Sequence, residues 1–194
     1  MDKRIPALFA ALVATSIFGF NHTIAKELMP DVLSPNALLY CRVLGAAISF
    51  WVISLFFKNE KIDFKDFKLI ITCAFFGMGL NMITALNGLY NSTPINSAII
   101  TTLAPIFIFI ISVFLLKEKI TKIKYLGVFI GFIGTLTLIL LNEKSIANAP
   151  NINLGNFYLI INSISYALYF VLVKPLTKKY NMITIMKWLF LFSI

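Results

Sequence analysis

The chain has 194 residues, a formal net charge of +9, 59% hydrophobic residues, only 13% charged residues and a mean hydropathy of +0.89. Soluble domains run at about 25% charged and about 45–50% apolar residues, so the composition excludes an ordinary soluble domain and fits a membrane protein. The charge alone would suit nucleic acid, but its distribution along the chain argues for an orientation signal instead.

A hydrocarbon core of about 30 Å needs about 20 helical residues. The first segment of that kind is Ile5–Ala25, which is long and lacks an A-x-A site, and so is not read as a cleaved leader. It offers Thr15, Gly19 and His22 on one face and Asn21 on the next. The second, Ala37–Phe57, carries Arg42 near its start. That side chain can snorkel to the headgroups, pair with Glu27 or Asp31, or meet an anionic ligand. In the third, Leu69–Tyr90, a 4-3-4 spacing puts Gly77, Asn81, Thr84 and Gly88 on a single face. The loop NSTPIN follows, with Thr93 suited to an N-cap and Pro94 to the first helical position, so a tight antiparallel hairpin is expected.

The fourth segment, Ile95–Leu116, lines up Ser97, Thr101, Pro105 and Ser112, with Thr102 alongside. Pro105 cannot donate to the Thr101 carbonyl and disfavours helical dihedrals in the residue before it. A bent helix with a freed carbonyl can line a cavity, because irregular backbone at membrane depth is tolerated where it faces protein or water. A packing kink without ligand contact is the other reading. In the fifth, Tyr125–Leu141, Gly127, Gly131 and Gly134 form a small-residue stripe for helix packing. The polar stretch NEKSIANAPNINLG, Asn142 to Gly155, is the strongest boundary in the chain. The sixth segment, Phe157–Val173, aligns Asn162, Tyr166 and Tyr169, and a seventh run begins near Met182. The fifth and sixth are short and should borrow a turn from their flanks. Lys187, in the seventh, is a case similar to Arg42.

One side of the membrane receives Lys3, Arg4, Lys58, Lys61, Lys65, Lys68, Lys117, Lys119, Lys122, Lys124, Lys174, Lys178 and Lys179. The other receives only Lys26 and Lys144. This positive-inside bias places the N-terminus in the cytoplasm of a cell with the chain in its (inner) membrane. Cys41 and Cys73 should sit at different depths, so no disulfide is expected and both read as small buried residues.

Five spans precede the boundary, so whatever follows enters from the opposite side. A shift of 148 lays FGFNHTIAK (Phe18–Lys26) over YALYFVLVK (Tyr166–Lys174), aromatic on aromatic and lysine on lysine. An inverted repeat of this kind marks secondary transporters with a site near the midplane. No Asp or Glu lies within a complete span, so a relay built on a membrane carboxylate is excluded from this portion. His22 alone can titrate near neutral pH, in a structural or a proton-linked role. A membrane enzyme would need paired acids, bases or nucleophiles, which one histidine does not supply. No catalytic residue, cofactor or metal is expected. A structural or assembly protein, with the polar stripes as interhelical glue, is the main competitor.

FGFNHTIAK, SPNALLYCR and the run from Ala85 to Ile139, with Pro105, Glu118 after a leucine pair and Gly127 through Gly134, together resemble the EamA-type members of the drug/metabolite transporter superfamily. The resemblance implies an all-α polytopic membrane helix bundle of ten spans in two inverted five-helix halves. Here it covers a first domain over 1–142, an external linker over 143–155 and the start of an incomplete second domain over 156–194. It implies alternating-access transport of a small organic solute, metabolite or drug, with export as the expected direction. Asn21, Lys26, Arg42, Pro105 and Glu118 match frequent family positions, while Phe18 stands where tryptophan is common. The solute-path candidates are Asn21, His22, Asn81, Thr84, Ser97, Thr101, Thr102, Asn162, Tyr166 and Tyr169. The expected partners are the solute and the lipid bilayer, not nucleic acid. The second half reads as C-terminally truncated, which makes the chain a fragment, a non-functional product, or one copy of a homodimer.

Overall fold

The computed structural model describes residues 4–29, 31–57, 60–116, 122–141 and 149–194. Glu118, much of the expected linker, and Lys3, Lys58, Lys117, Lys119 and Lys144 of the charge pattern lie outside the described residues. Every described element is helical: α1 (Arg4–Leu28), α2 (Pro35–Ser54), α3 (Phe64–Ala74), a π-helical segment (Phe75–Leu80), α4 (Asn81–Asn91), α5 (Pro94–Thr101), α6 (Ala104–Leu116), α7 (Lys122–Leu141), α8 (Ile152–Lys179) and α9 (Met182–Leu191). Five described stretches are long and apolar enough to cross a membrane: α1, α2, the continuous α3–π–α4 rod, the broken α5–α6 rod, and α8. Lipid offers the backbone no hydrogen-bond partners, so each span must satisfy its own, as a helix does.

Local chemistry sets the helix starts. Ser34 caps α2 by accepting from the Ala37 N–H at 3.2 Å, with Pro35 next in line. Thr93 caps α5 by accepting from Asn96 N–H at 3.1 Å, again followed by proline. Asn151 caps α8 through Leu154 N–H at 3.1 Å. That cap lies inside the stretch expected to be linker, and α8 runs on through Pro175 to Lys179, so the sixth span takes polar residues at both ends. Lys174, Lys178 and Lys179 are therefore helical.

The turn between α4 and α5 is tight, as the sequence indicates, but beyond it the two spans splay. The helix α8 packs along both instead, touching α3, the π segment and α4 on one side and α5 and α6 on the other. Glycines permit that approach. A Cβ on Gly77 would lie 2.5 Å from the Tyr169 ring, one on Gly88 2.7 Å from Leu159, and one on Gly155 2.6 Å from Ser92. The stripe on α7 behaves differently. Gly131 faces Ile106, but a Cβ on Gly127 or Gly134 would meet nothing within 4 Å, so those two do not form a packing seam among the described residues. A small-residue stripe permits close packing only where a partner surface arrives, and here the partner arrives at the third span.

Among the described residues three clusters hold the bundle. The largest joins α2, α3, α8 and α9 around Ile70, Cys73, Leu176, Ile185 and Leu189. A second joins α1, α2 and α4 through Ala25, Leu38, Leu86 and Leu89, and a third joins α5 to α8 through Ile100, Leu103 and Leu159. Lipid tails are as apolar as leucine, so these clusters contribute through close packing and interhelical hydrogen bonds rather than through exclusion of water. At the N-terminal side, Lys179 pairs with Asp63 and, at 2.6 Å, with Asp66, while Tyr180 donates to Asp66 at 2.7 Å. Lys187 is buried, its ammonium 5.2 Å from the centre of the Trp51 ring. Cys73 is buried as expected, but Cys41 is exposed on the outer surface of α2, where the apolar environment would be lipid.

Candidate functional site

Among the described residues two spans depart from regular helix, and α8 answers both. The π turn at Phe75–Leu80 widens the third span and interrupts its regular α-helical bonding. Ser165 donates to the Phe76 carbonyl at 2.7 Å, and Asn162 Nδ2 donates to the Asn81 carbonyl at 2.8 Å. Asn81 Nδ2 returns a bond to the Asn162 carbonyl at 3.2 Å, so the two asparagines lock the helices reciprocally. In the fourth span the chain leaves the α-helix at Thr102 and Leu103, whose N–H groups reach back only three residues, to Ile99 and Ile100. Regular helix resumes at Ala104, and Pro105 has no N–H to return to Thr101. The buried Ser163 hydroxyl is shared between Leu159 O of its own helix at 3.1 Å and the Ile100 carbonyl at 3.3 Å, just before the break.

Between these irregular segments lies a cavity of about 770 Å³. Phe18, Asn21, His22 and Ala25 reach it from α1, and Arg42 from α2. Asn81, Met82, Ala85, Leu86 and Leu89 form the α4 wall, and Leu159, Asn162, Ser163 and Tyr166 the α8 wall. The broken span contributes Ser97, Thr101, Thr102, Ala104 and Pro105. Arg42 Nη2 donates to Asn21 Oδ1 at 2.6 Å. Phe18 packs on the His22 ring with centroids 4.8 Å apart, and His22 Nε2 is buried with no hydrogen-bond partner. The hydroxyls of Thr101 and Thr102 donate to their own helix, at 2.9 Å to Ser97 O and 2.6 Å to Ile99 O. Their oxygens keep acceptor capacity toward the cavity.

Ten of the sequence-derived residues thus line one space: Asn21, His22, Arg42, Asn81, Ser97, Thr101, Thr102, Pro105, Asn162 and Tyr166. Thr84 and Tyr169 do not. Thr84 is buried and its hydroxyl lies 2.7 Å from Leu80 O and 3.1 Å from Asn81 O, the carbonyls at the end of the π turn. Tyr169 is buried one turn beyond the cavity, against Gly77. Lys26 also lies outside the lining. Its ammonium donates to the carbonyls of Leu89, Tyr90 and Ser92 at 2.9, 2.7 and 2.7 Å, closing the end of α4. Leu159 and Ser163 were not singled out from the sequence, although Leu159 lies three residues before Asn162 and Ser163 three before Tyr166.

A mostly apolar cavity with a few polar side chains, set beside two irregular spans, agrees with what the chain is similar to. It is 33% identical over 154 residues to an uncharacterized transporter of Archaeoglobus fulgidus, covering 79% of this chain and 52% of that protein. It is 28% identical to the uncharacterized transporter YetK of Bacillus subtilis over all of this chain and 59% of the relative. The uncharacterized transporter YyaM of the same organism is 27% identical, over 88% of this chain and 57% of its own length. The chain therefore spans little more than half the length of these curated relatives. No solved structure matches it significantly. The profile of the EamA-like transporter family matches residues 5–140, from the first turn of α1 to the end of α7, and on that match the chain belongs to this family of membrane transporters.

Proposed function

We propose that the chain moves a small organic solute across the membrane by alternating access, and that the cavity between α1, α2, α4, the α5–α6 break and α8 is where the solute sits. The observation that carries this reading is the pairing of the cavity with two irregular spans, since non-helical backbone at membrane depth is tolerated where it lines such a space. The cavity takes walls from both sides of the boundary at residues 142–155, which supports two inverted halves rocking about a midplane site.

The test is flux in proteoliposomes with Ser97→Ala, Thr101→Val and Tyr166→Ala, each compared with Thr84→Val. Transport should fall several-fold in the first three and stay near wild type in the fourth, with membrane insertion equal in all. Unchanged kinetics in the cavity variants would refute the reading, and would favour a structural role for the polar stripes.

The same reading keeps the N-terminus and the Lys178–Lys179 end in the cytoplasm, following the positive-inside bias. In a chain with Cys41→Ser and Cys73→Ser, a cysteine at Val32 should react with an impermeant maleimide in intact cells. One at Lys178 should react only after lysis. The reverse pattern would invert the topology.

A further inference from the structure

Among the described residues lining the cavity, Arg42 is the only charged one, and no acid faces it. It lies eight residues beyond the Ser34 cap, which at about 1.5 Å per residue is about 12 Å along α2. Ionisable groups at such depth are ordinarily paired, and face a bundle interior or cavity. The pairing found here is to a neutral amide: one guanidinium N–H reaches Asn21 Oδ1. A guanidinium has five N–H donors, and an amide oxygen cancels none of its charge. Glu27 and Asp31, the acids nearest in sequence, form no ion pair with it.

A second observation lies beside the first. His22, one residue after Asn21, lines the same cavity, and its Nε2 is buried and unpartnered. A buried polar atom left without a partner is unfavourable, and a small turn of the ring toward an occupant of the cavity would relieve it. With its proton on Nε2, the neutral ring adds a third donor to the two-pronged edge of the guanidinium. Ala25, Leu86 and Leu89 give this corner apolar walls, so a charge-assisted bond there is little screened.

We propose that Arg42 and His22 form the anion end of the solute site, and that the solute carries a carboxylate. The inference rests on the reading of the cavity as the solute path, and narrows it. The guanidinium fork matches the two oxygens of a carboxylate, and its single positive charge balances one negative charge. An ammonium placed there would meet an uncompensated cation. A phosphate dianion would leave excess charge. The rest of the solute would extend toward Thr101 and Tyr166, since the cavity is far larger than a bare anion needs.

The experiment is calorimetric titration of the full chain in detergent with probes built on one ring: 4-hydroxybenzoate, 4-hydroxybenzamide, tyramine and phenyl phosphate, with lactate and glutarate as smaller carboxylates. At least one carboxylate should bind tenfold or more tightly than the amide. Arg42→Gln should erase that difference, and Arg42→Lys should retain part of it. His22→Leu should weaken carboxylate binding several-fold, while His22→Gln, which keeps an N–H, should stay close to wild type. If Arg42→Gln does not accumulate, His22→Leu against His22→Gln carries the comparison, because both leave the charge in place.

The proposal is overturned if no carboxylate binds, if the amide or tyramine binds as tightly, or if phenyl phosphate binds tightest. Carboxylate affinity surviving both Arg42→Gln and His22→Leu also overturns it. If a neutral or cationic probe binds and Tyr166→Ala weakens it, the cavity is still the solute path and only the anion assignment fails. If no probe of any charge binds and none is transported, the reading of the cavity itself fails with it.

Discussion

Replacing Gly155 by valine should prevent the bundle from reaching its packed form, and Gly155→Ala should already lower stability by about 1–3 kcal/mol, the usual cost of overpacking. A Cβ at residue 155 would lie 2.6 Å from both Cβ and N of Ser92 and 2.8 Å from the carbonyl carbon of Asn91. Those neighbours are largely backbone, so no rotamer change makes room. The contact is also fixed from several directions. Asn151 N–H donates to the Asn91 carbonyl at 3.2 Å, and the Ser92 hydroxyl donates to Asn156 Oδ1 at 2.7 Å. Ser92 itself is fully buried.

Gly127→Ala is the control, because the same added methyl meets nothing within 4 Å there. That change should stabilise α7 by up to about 1 kcal/mol, the helix-propensity difference between alanine and glycine. Thermal unfolding of the two variants in one detergent should therefore move in opposite directions. If Gly155→Ala melts at or above the wild-type temperature, α8 does not approach the end of α4 this closely.

Those two glycines also mark where the sequence was informative and where it fell short. Hydropathy and length locate the spans well, because the bilayer imposes one dimension on each of them. The period of 3.6 identifies polar faces, and it placed Asn81, Ser97, Thr101 and Asn162 on faces that converge. It does not say which neighbour a face meets. The stripe on α7 therefore looked like a packing seam, while the close contacts formed at Gly77, Gly88 and Gly155. Tyr169 shares a face with Asn162 yet lies beyond the end of the cavity, since position along a helix axis matters as much as angle around it. The π turn left no mark in the sequence, because it answers to Ser165 and Asn162 on a helix some eighty residues away. Arg42 was expected at the headgroups, on Glu27 or Asp31, or on an anionic ligand, and the one protein partner it takes among the described residues, the amide of Asn21, was none of these.

Lys26→Met should destabilise the bundle by about 1.5–3 kcal/mol, the range for hydrogen bonds to a charged group, taken as one cooperative site and not as three independent bonds. The third span ends at Asn91, and the last carbonyls of any helix have no intrahelical donor. The three N–H groups of the ammonium match the three oxygens of Leu89, Tyr90 and Ser92 at 2.7–2.9 Å. A cation also suits the negative end of the helix dipole. Lys26→Arg should recover only part of the loss, because a planar fork cannot point three donors at one converging set of carbonyls. The consequence reaches the cavity, since Lys26 anchors the end of the helix that carries Asn21 and His22 just over a turn earlier. With that anchor gone, α1 has its Ala25 packing and the Arg42–Asn21 bond to hold it in register. Solute affinity should then fall in Lys26→Met even though Lys26 lines no part of the cavity. A melting temperature equal to wild type would mean that these carbonyls are satisfied without Lys26. A lowered melting temperature with unchanged affinity would separate the cap from the site and leave α1 positioned by the Ala25 packing and the Arg42–Asn21 bond.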